Sequence, residues 1–272
     1  MKTRLTITLS PDLLDSVDLL VDKKTIRNRS HAIEHLIRQS LGVNVTTAMI
    51  LAGGTHRGKN NPLIKKIEGV DLFFHQIEHL KQFGIKRVIV CLNKLDRPLA
   101  KRFGSGSEHG LQILYSYEAK PLGTAGALKN ASHLISDQKT VLIVHGDVLT
   151  SLSIDDLIKF HLTEDTEVTM AVKPNLGKKE LGQVYLQGSR VMTFAKIGVE
   201  SEISITNTGV YVLNLSVLKT ILPNTVSFLE SDVFPQLAQA NKLRAFIYQG
   251  IWYDISTQDQ YQKAQKWVSS HH

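Results

Sequence analysis

The polar and apolar positions at the start of the chain alternate. In KTRLTITLS, Leu5, Ile7 and Leu9 fall on one face, and Arg4, Thr6 and Thr8 on the other. Alternation rich in threonine and isoleucine predicts a strand. Ser10-Pro11-Asp12 then reads as an N-cap, a proline at N1 and a first-turn acid. Leu13, Leu14, Val17, Leu20 and Val21 recur at helical spacing and predict a first helix. The polar, basic KKTIRNR predicts a turn. Ser30 is placed to cap a second helix, with Ala32, Ile33, Leu36, Ile37 and Leu41 on one face and Gly42 as its stop. Residues 1–42 thus predict strand, helix, helix. A unit this small cannot bury its own apolar faces, and a lone strand has two open edges. Two copies solve both problems, with a paired ribbon over a four-helix core. The linker, Val43 to Thr46, is short.

From Thr47 the pattern changes to alternating strand and helix. TAMILA is an apolar strand ending at Gly53-Gly54. Residues 70–83 carry Leu72, Phe73, Ile77 and Leu80 at helical spacing. RVIVCLN and LQILYSY predict buried strands, TAGALKNASHLI a helix, TVLIVHGD a strand and SIDDLIKFH a helix. Further strands are predicted at 167–173, 183–187 and 190–195. ISITNTGVYVLN, a helix near 231–240, LRAFIY and a last helix from Thr257 to Trp267 complete the order, with KPNLGKKELG as an exposed basic loop. This alternation predicts an α/β domain over 47–272, a mixed, mostly parallel sheet flanked by helices, preceded by the small strand-helix-helix dimerisation domain. Such sheets bind ligands outside the carboxyl ends of their strands.

Composition refines the picture only slightly. With 272 residues, 42% of them hydrophobic, the chain can bury a real core. A net charge of +7 and a pI near 9.3 favour polyanionic partners only weakly, because a basic solvated surface gives the same numbers. The single cysteine, Cys91, excludes an intrachain disulfide framework and a cysteine zinc site, and fits a reducing cytoplasm. The N-terminus lacks the apolar run of a secretory signal. No apolar run approaches the ~18 residues of a membrane helix.

Candidate chemistry sits at the predicted strand ends. Gly53 and Gly54 in LAGG let a backbone approach a phosphate or base closely, although a bare Gly-Gly is more often a tight turn. PLGTAGAL opens a helix with small residues, Gly123 and Thr124 among them, and such a start accommodates an anion or a flat base. Glu118 lies just upstream. Asp147 in VHGDV and Asp254 in WYDIST each end a strand, where a carboxylate can hold a hard divalent cation. Taken singly, each signal is weak: Asp147 alone is mostly turn chemistry, and Asp254 reads at least as well as a helix-start or cap acid.

Their order carries more than any one of them. HQIEHLKQFGIKRVIV, PLGTAGAL, GD, NTGVYVLN, FLESDVFPQL and W-x-D-I-x-T-x-x-x-Y-x-x-A arrive in the order of the sugar-1-phosphate nucleotidyltransferases, which the chain resembles from Thr47 to Trp267. The resemblance implies a fold like that of the nucleotide-binding glycosyltransferases. The implied reaction is attack of a sugar 1-phosphate on the α-phosphorus of an NTP, with loss of pyrophosphate. It implies Mg2+ on Asp147 and Asp254, and a base cradled by Leu51, Ala52, Gly53, Gly54 and Gly123, with Glu118 and Thr124 beside it. It also implies a sugar phosphate held by Lys196, and a sugar contacted by Asn207 and Thr208. Where the family has Glu-Lys-Pro, this chain has Ala195-Lys196-Ile197. The base and the sugar stay open, although FLESDVFP resembles the mannose- and heptose-phosphate branch.

Residues 2–41 resemble the ribbon-helix-helix DNA-binding domain. The resemblance implies that Arg4, Thr6 and Thr8 read bases, that Lys2 lies near the backbone, and that the second helix start, at Arg29 and Ser30, holds a phosphate.

One stretch departs from the family. The signature loop has a third glycine, an arginine and a lysine, whereas this chain has LAGGTHRGKNNPLIKK and a shorter loop. Arg57 is placed to replace the arginine. The lysine position falls near Asn61 or Pro62, which leaves Lys59, Lys65 or Lys66 to replace it. Two functions therefore stand at this point. One is an active nucleotidyltransferase dimerised by its N-terminal module. The other is a transcription regulator whose degenerate transferase domain senses a nucleotide or nucleotide sugar without turnover.

Overall fold

The computed structural model describes residues 6–22, 26–41, 45–54, 58–164, 166–176, 183–194 and 203–271. Lys2, Arg4, Arg57 and Lys196, all singled out above, lie outside the described residues. Contacts divide the chain into two units, Met1–Asn44 and Val45–His272. No helix among the described residues is long and apolar enough to cross a membrane.

The first unit contains α1 (Pro11–Leu19) and α2 (Arg29–Leu41). Pro11 occupies N1 of α1 behind Ser10, whose side chain makes no capping bond. Two expectations change. Residues 6–10 belong to no strand among the described residues, because a strand needs a ladder partner. The cap of α2 is Asn28, not Ser30. The Asn28 side chain accepts from His31 N at 2.9 Å and its carbonyl from Ala32 N, which places Ser30 inside the first turn. Arg29 forks onto Asp18, with Nε and Nη2 each 2.6 Å from a carboxylate oxygen. Val17 and Ala32 are buried, while Leu13, Leu20 and Ile37 stay 49%, 37% and 41% exposed.

The second unit runs β1 (Thr47–Leu51), β2 (Lys66–Ile67), β3 (Val70–Asp71), α3 (Leu72–Gln82), β4 (Arg87–Asn93), α4 (Arg97–Phe103), β5 (Gln112–Glu118) and α5 (Gly123–Ala131). It continues through β6 (Thr140–His145), β7 (Val148–Thr150), α6 (Ile154–Glu164), β8 (Val168–Leu176), β9 (Val184–Gln187), β10 (Arg190–Phe194) and β11 (Ile203–Asn214). A π-helical turn at Leu229–Val233, α7 (Phe234–Gln239), β12 (Leu243–Ile247), β13 (Trp252–Asp254) and α8 (Gln258–His271) follow. Nine strands form one mixed sheet in the order β5-β4-β1-β6-β11-β8-β12-β10-β9. β5, β4, β1 and β6 are parallel, and β11 runs against both β6 and β8. β8 extends through Lys173–Leu176, which the basic composition marks as loop, because the start of β11 pairs with it there.

Strand alternation sorts the core into two layers. Val88, Val90 and Leu92 of β4 pack with Phe73, Ile77 and Leu80 of α3 on one face. Ile89 and Cys91 pack with Ala125 and Leu128 of α5 on the other. Each fully buried large side chain contributes about 1.5–3 kcal/mol. A third cluster joins Ile255, Ala264 and Val268 to Ile67, Leu72 and Leu149, which seats α8 beside the short strands. The parallel half of the sheet therefore brings Ala52, Asn93, Glu118 and His145 to one edge.

The start of α5 is fixed from outside the helix. Gly123 has φ +77°, and a Cβ there would lie 2.4 Å from the Ser227 carbonyl oxygen. That carbonyl accepts from both Ala125 N and Gly126 N at 3.0 Å, so two of the orphan amides of the helix are already satisfied. Gly123→Ala combines a disfavoured φ with a clash against backbone, and is expected to cost about 2 kcal/mol or more. Gly54→Ala, where nothing lies within 4 Å of the added carbon, is expected to cost no more than about 0.5 kcal/mol. Urea denaturation of the two variants measures the difference.

Candidate active site

The two glycines of LAGG lie where β1 meets its neighbours. Ala52 N donates to Cys91 O and Gly146 N to Leu51 O, both at 2.9 Å, so the exits of β1, β4 and β6 are laced together. A Cβ on Gly53 would meet Glu118 Oε2 at 2.8 Å, so glycine there lets the turn lie against that carboxylate. Glu118 is buried and its Oε1 has no hydrogen-bond partner. Burial pushes its pKa up to about 7, against a smaller downward pull from the Leu122 amide. An unmet buried acceptor beside a glycine turn is a place for a ligand donor.

From Gly58 the shortened loop is folded down onto the exit of β4. Asn61 is fully buried. Its Nδ2 donates to Ala52 O at 3.1 Å and Asp96 Oδ2 at 3.2 Å, and its Oδ1 accepts from Leu63 N at 3.1 Å. Asp96 Oδ1 accepts from Gly58 N at 2.5 Å. Asn61 is thus a latch rather than a replacement for the signature lysine. Two of the three candidate lysines are engaged elsewhere: Lys65 Nζ donates to Ile255 O at 2.6 Å, and Lys66 Nζ to Gly69 O at 2.9 Å. Lys59 is exposed and has no hydrogen-bond or ion-pair partner among the described residues.

Asp147 and Asp254 are distant in sequence and adjacent in register. β13 pairs antiparallel with β7, Asp254 stands opposite Val148, and Ile255 N donates to Asp147 O at 2.9 Å. Asp254 Oδ1 accepts from Ser256 N at 2.9 Å, which orients its carboxylate, while Thr257 Oγ1 receives Gln260 N at the start of α8. The described residues contain no cluster of three or more His, Cys, Asp or Glu able to enclose a metal. Two carboxylates on strand ends fit a hard divalent cation that takes its remaining ligands from phosphate and water.

Sequence reasoning missed the polar hub beside them. Glu230, in the π-helical turn, accepts from Thr124 Oγ1 at 2.7 Å and Tyr211 OH at 3.2 Å, and lies 3.5 Å from His145 Nε2. Burial works against charging either member of the pair. Their mutual attraction prevails, and Asp147 and Asp254 add to it at His145. The His145 pKa is thus held above its ordinary value and that of Glu230 below its own. Burial, and then the charge on Glu230, push the Tyr211 phenol well up. His145 adjoins the Gly-Asp pair and Glu230 lies within FLESDVFP, but neither spacing shows that the two meet.

Asn207 and Thr208 brace this hub. The β8–β11 register shifts between Asn207 and Tyr211, and Gly209, at φ +73°, lets the His145 ring lie against its backbone. Asn207 Nδ2 donates to Tyr211 OH at 2.7 Å, and its Oδ1 accepts from Gly209 N at 3.0 Å. Thr208 Oγ1 donates to Ala171 O at 2.7 Å, and its carbonyl accepts from Trp252 Nε1 at 2.9 Å.

A glycine turn against a buried carboxylate at the carboxyl edge of a mixed α/β sheet, next to two aspartates brought together by the β13–β7 pairing, fits the class of nucleotidyl-transferring proteins. Residues 47–270 match the Nucleotidyl transferase family, and the chain belongs to it. It is 33% identical over 226 residues to the D-glycero-alpha-D-manno-heptose 1-phosphate guanylyltransferase of Aneurinibacillus thermoaerophilus, covering 80% of this chain and 96% of that protein. It is 30% identical over 191 residues to the mannose-1-phosphate guanylyltransferase catalytic subunit beta of Danio rerio, covering 68% of this chain and 52% of that one. Among solved structures, HddC from Yersinia pseudotuberculosis complexed with GMP-PN shares the fold, with a TM-score of 0.72 and 22% identity, covering 82% of this chain and 99% of that one.

Glu118 gives the site a pH dependence. A carboxyl whose pKa is raised to about 7 is an acceptor above that pH and carries a proton below it. Affinity for a nucleotide that donates to it is therefore retained at high pH and lost as pH falls. The apparent Kd for a nucleotide whose base donates to Glu118 is expected to rise about tenfold between pH 8 and pH 6. Glu118→Gln should flatten this profile, leaving only the titration of the nucleotide's own phosphate; isothermal calorimetry on both proteins checks it.

Proposed function

We propose that residues 47–270 transfer a guanylyl group from GTP to a mannose- or heptose-type sugar 1-phosphate, releasing pyrophosphate and an NDP-sugar. The observation that carries this reading is the pairing of β13 with β7, which joins Asp147 and Asp254 beside the cradle containing Glu118. Two relatives that are guanylyltransferases support it. Guanine presents two adjacent donors, N1–H and N2–H, which suit the carboxylate whose Oε1 lacks a partner. Uracil or thymine offers a single donor, N3–H, with a carbonyl oxygen on each side of it.

Each part of the chain has a task in this reaction. The turn at Gly53 and Gly54 admits the base, and Glu118 orients it. Asp147 and Asp254 would hold Mg2+, which when bound would supply neutralisation of the phosphate charge. Lys196 is assigned to the sugar phosphate, and Arg57 with Lys59 to the triphosphate. Asn207, Thr208 and Glu230 fix the floor under the sugar. A phosphate oxygen is already nucleophilic, so no covalent intermediate is required, and positioning with charge neutralisation supplies most of the acceleration.

A pyrophosphate-release assay with Mg2+, the four common NTPs and a panel of sugar 1-phosphates tests this reading. Release is expected with GTP, and Asp147→Asn or Asp254→Asn should lower kcat/KM by about 10²–10³. Absence of release with every pair, alongside measurable nucleotide binding, would replace the enzyme with the sensor that does not turn over.

We also propose that residues 1–42 pair with a second copy and bind DNA as a ribbon-helix-helix module. The exposed Leu13, Leu20 and Ile37 support self-association, and the residue pattern supports the ribbon. A fragment carrying the protein's own promoter should shift in gel electrophoresis, with an affinity that falls steeply with salt. Arg4→Ala with Thr6→Ala should abolish the shift. An absent or salt-insensitive shift would leave dimerisation alone.

A further inference from the structure

Gln76 is an anomaly in α3. Its helical neighbours Phe73, Ile77 and Leu80 are buried in the apolar core, yet this amide is only 5% exposed among them. Burying an amide is costly unless its hydrogen bonds are made inside the protein. Its Nε2 donates to His145 O at 2.9 Å and to Val148 O at 2.8 Å. Those two carbonyls flank Gly146-Asp147 on either side, so both amide hydrogens are spent on one turn. Oε1 has no hydrogen-bond partner, and a cavity of about 20 Å³, lined in part by Gln76, His75, His79 and Val148, lies alongside.

The turn is gripped from two further directions. Gly146 N donates to Leu51 O, and Ile255 N donates to Asp147 O, both at 2.9 Å. Gly146 cannot carry a side chain without strain, because a Cβ there would lie 2.7 Å from that of Ala52. The backbone of Asp147 is therefore held by β1, by the segment after β13 and by α3. The contact from α3 is the only one of these three made by a side chain.

We infer that Gln76 is a positioning residue for the metal carboxylate of Asp147. It clamps the carbonyls on both sides of the turn, so that the Asp147 carboxylate meets that of Asp254 at chelating geometry. This rests on the reading above that Asp147 and Asp254 hold a divalent cation. Groups that orient metal ligands commonly control affinity by about 10- to 100-fold.

Mn2+ titrated into the full chain in the presence of a non-hydrolysable GTP analogue, with free Mn2+ followed by electron paramagnetic resonance and the Mn2+ held by the analogue alone subtracted, tests the inference. Gln76→Met fills the same volume without donors, and Gln76→Asn keeps an amide one methylene short; either serves if the other fails to fold. Both are expected to weaken Mn2+ about tenfold or more, beyond any loss of folded protein read from the metal-free melting transition, while binding of the analogue without metal stays near that of the unsubstituted chain. Asp147→Asn, measured in parallel, separates the two claims. If it leaves Mn2+ affinity unchanged, the metal reading itself fails. If it abolishes Mn2+ binding while a folded Gln76 variant binds Mn2+ normally, or weakens only in step with lost folded protein, the positioning role is overturned.

Discussion

The arrangement at the mouth of the second unit depends on the antiparallel pairing of β13 with β7. That pairing is only three residues long, too short to be stable alone. It persists because Leu149 and Ile255 are buried in the cluster that seats α8 against β2 and α3. Hydrophobic burial at the back of the strands thus fixes the register at the front. A slip of one residue would turn Asp254 away from its partner and expose the apolar side chains of the pair.

Around that pairing the described residues gather negative charge. Asp147, Asp254 and Glu230 lie close enough to hold His145 above its ordinary pKa despite its burial. Such a field attracts a divalent cation and repels a bare triphosphate. This gives a physical reason for metal and nucleotide to arrive together. It also bears on the loop after Gly54. Its latch uses Asn61 and Asp96 where a signature lysine would stand, and Lys65 and Lys66 are tied to backbone carbonyls. The cations assigned to the triphosphate are therefore Lys59 and the loop arginine Arg57.

Much of the fold was legible in the residue pattern, and so was membership of the family. Buried strands such as RVIVCLN announce themselves by composition, and helices such as α3 by period and length. The order of PLGTAG, GD, NTG and W-x-D identifies the family; in the fold PLGTAG and GD follow the ends of β5 and β6, NTG lies within β11, and W-x-D forms β13 of a separate two-stranded sheet. The first unit shows the limit. Alternation in KTRLTITLS states which side chains would share a face, but not what the strand pairs with, and residues 6–10 pair with no strand among the described residues. Ser30 and Asn28 are both good caps by type, and the choice between them was made by where the backbone turns.

The sequence by itself determined which segments become strands and helices, which residues have no option but burial, and which family the chain belongs to. These depend on local period and on motif order, both written along one dimension. Tertiary structure alone decided what the polar residues do. It made Asn61 a latch, Thr208 a brace, Glu230 a hub and Gln76 a clamp on the Asp147 turn. Each of these roles is a hydrogen bond between segments far apart in the chain, and nothing in the spacing of residues encodes which donor meets which acceptor until the core has packed.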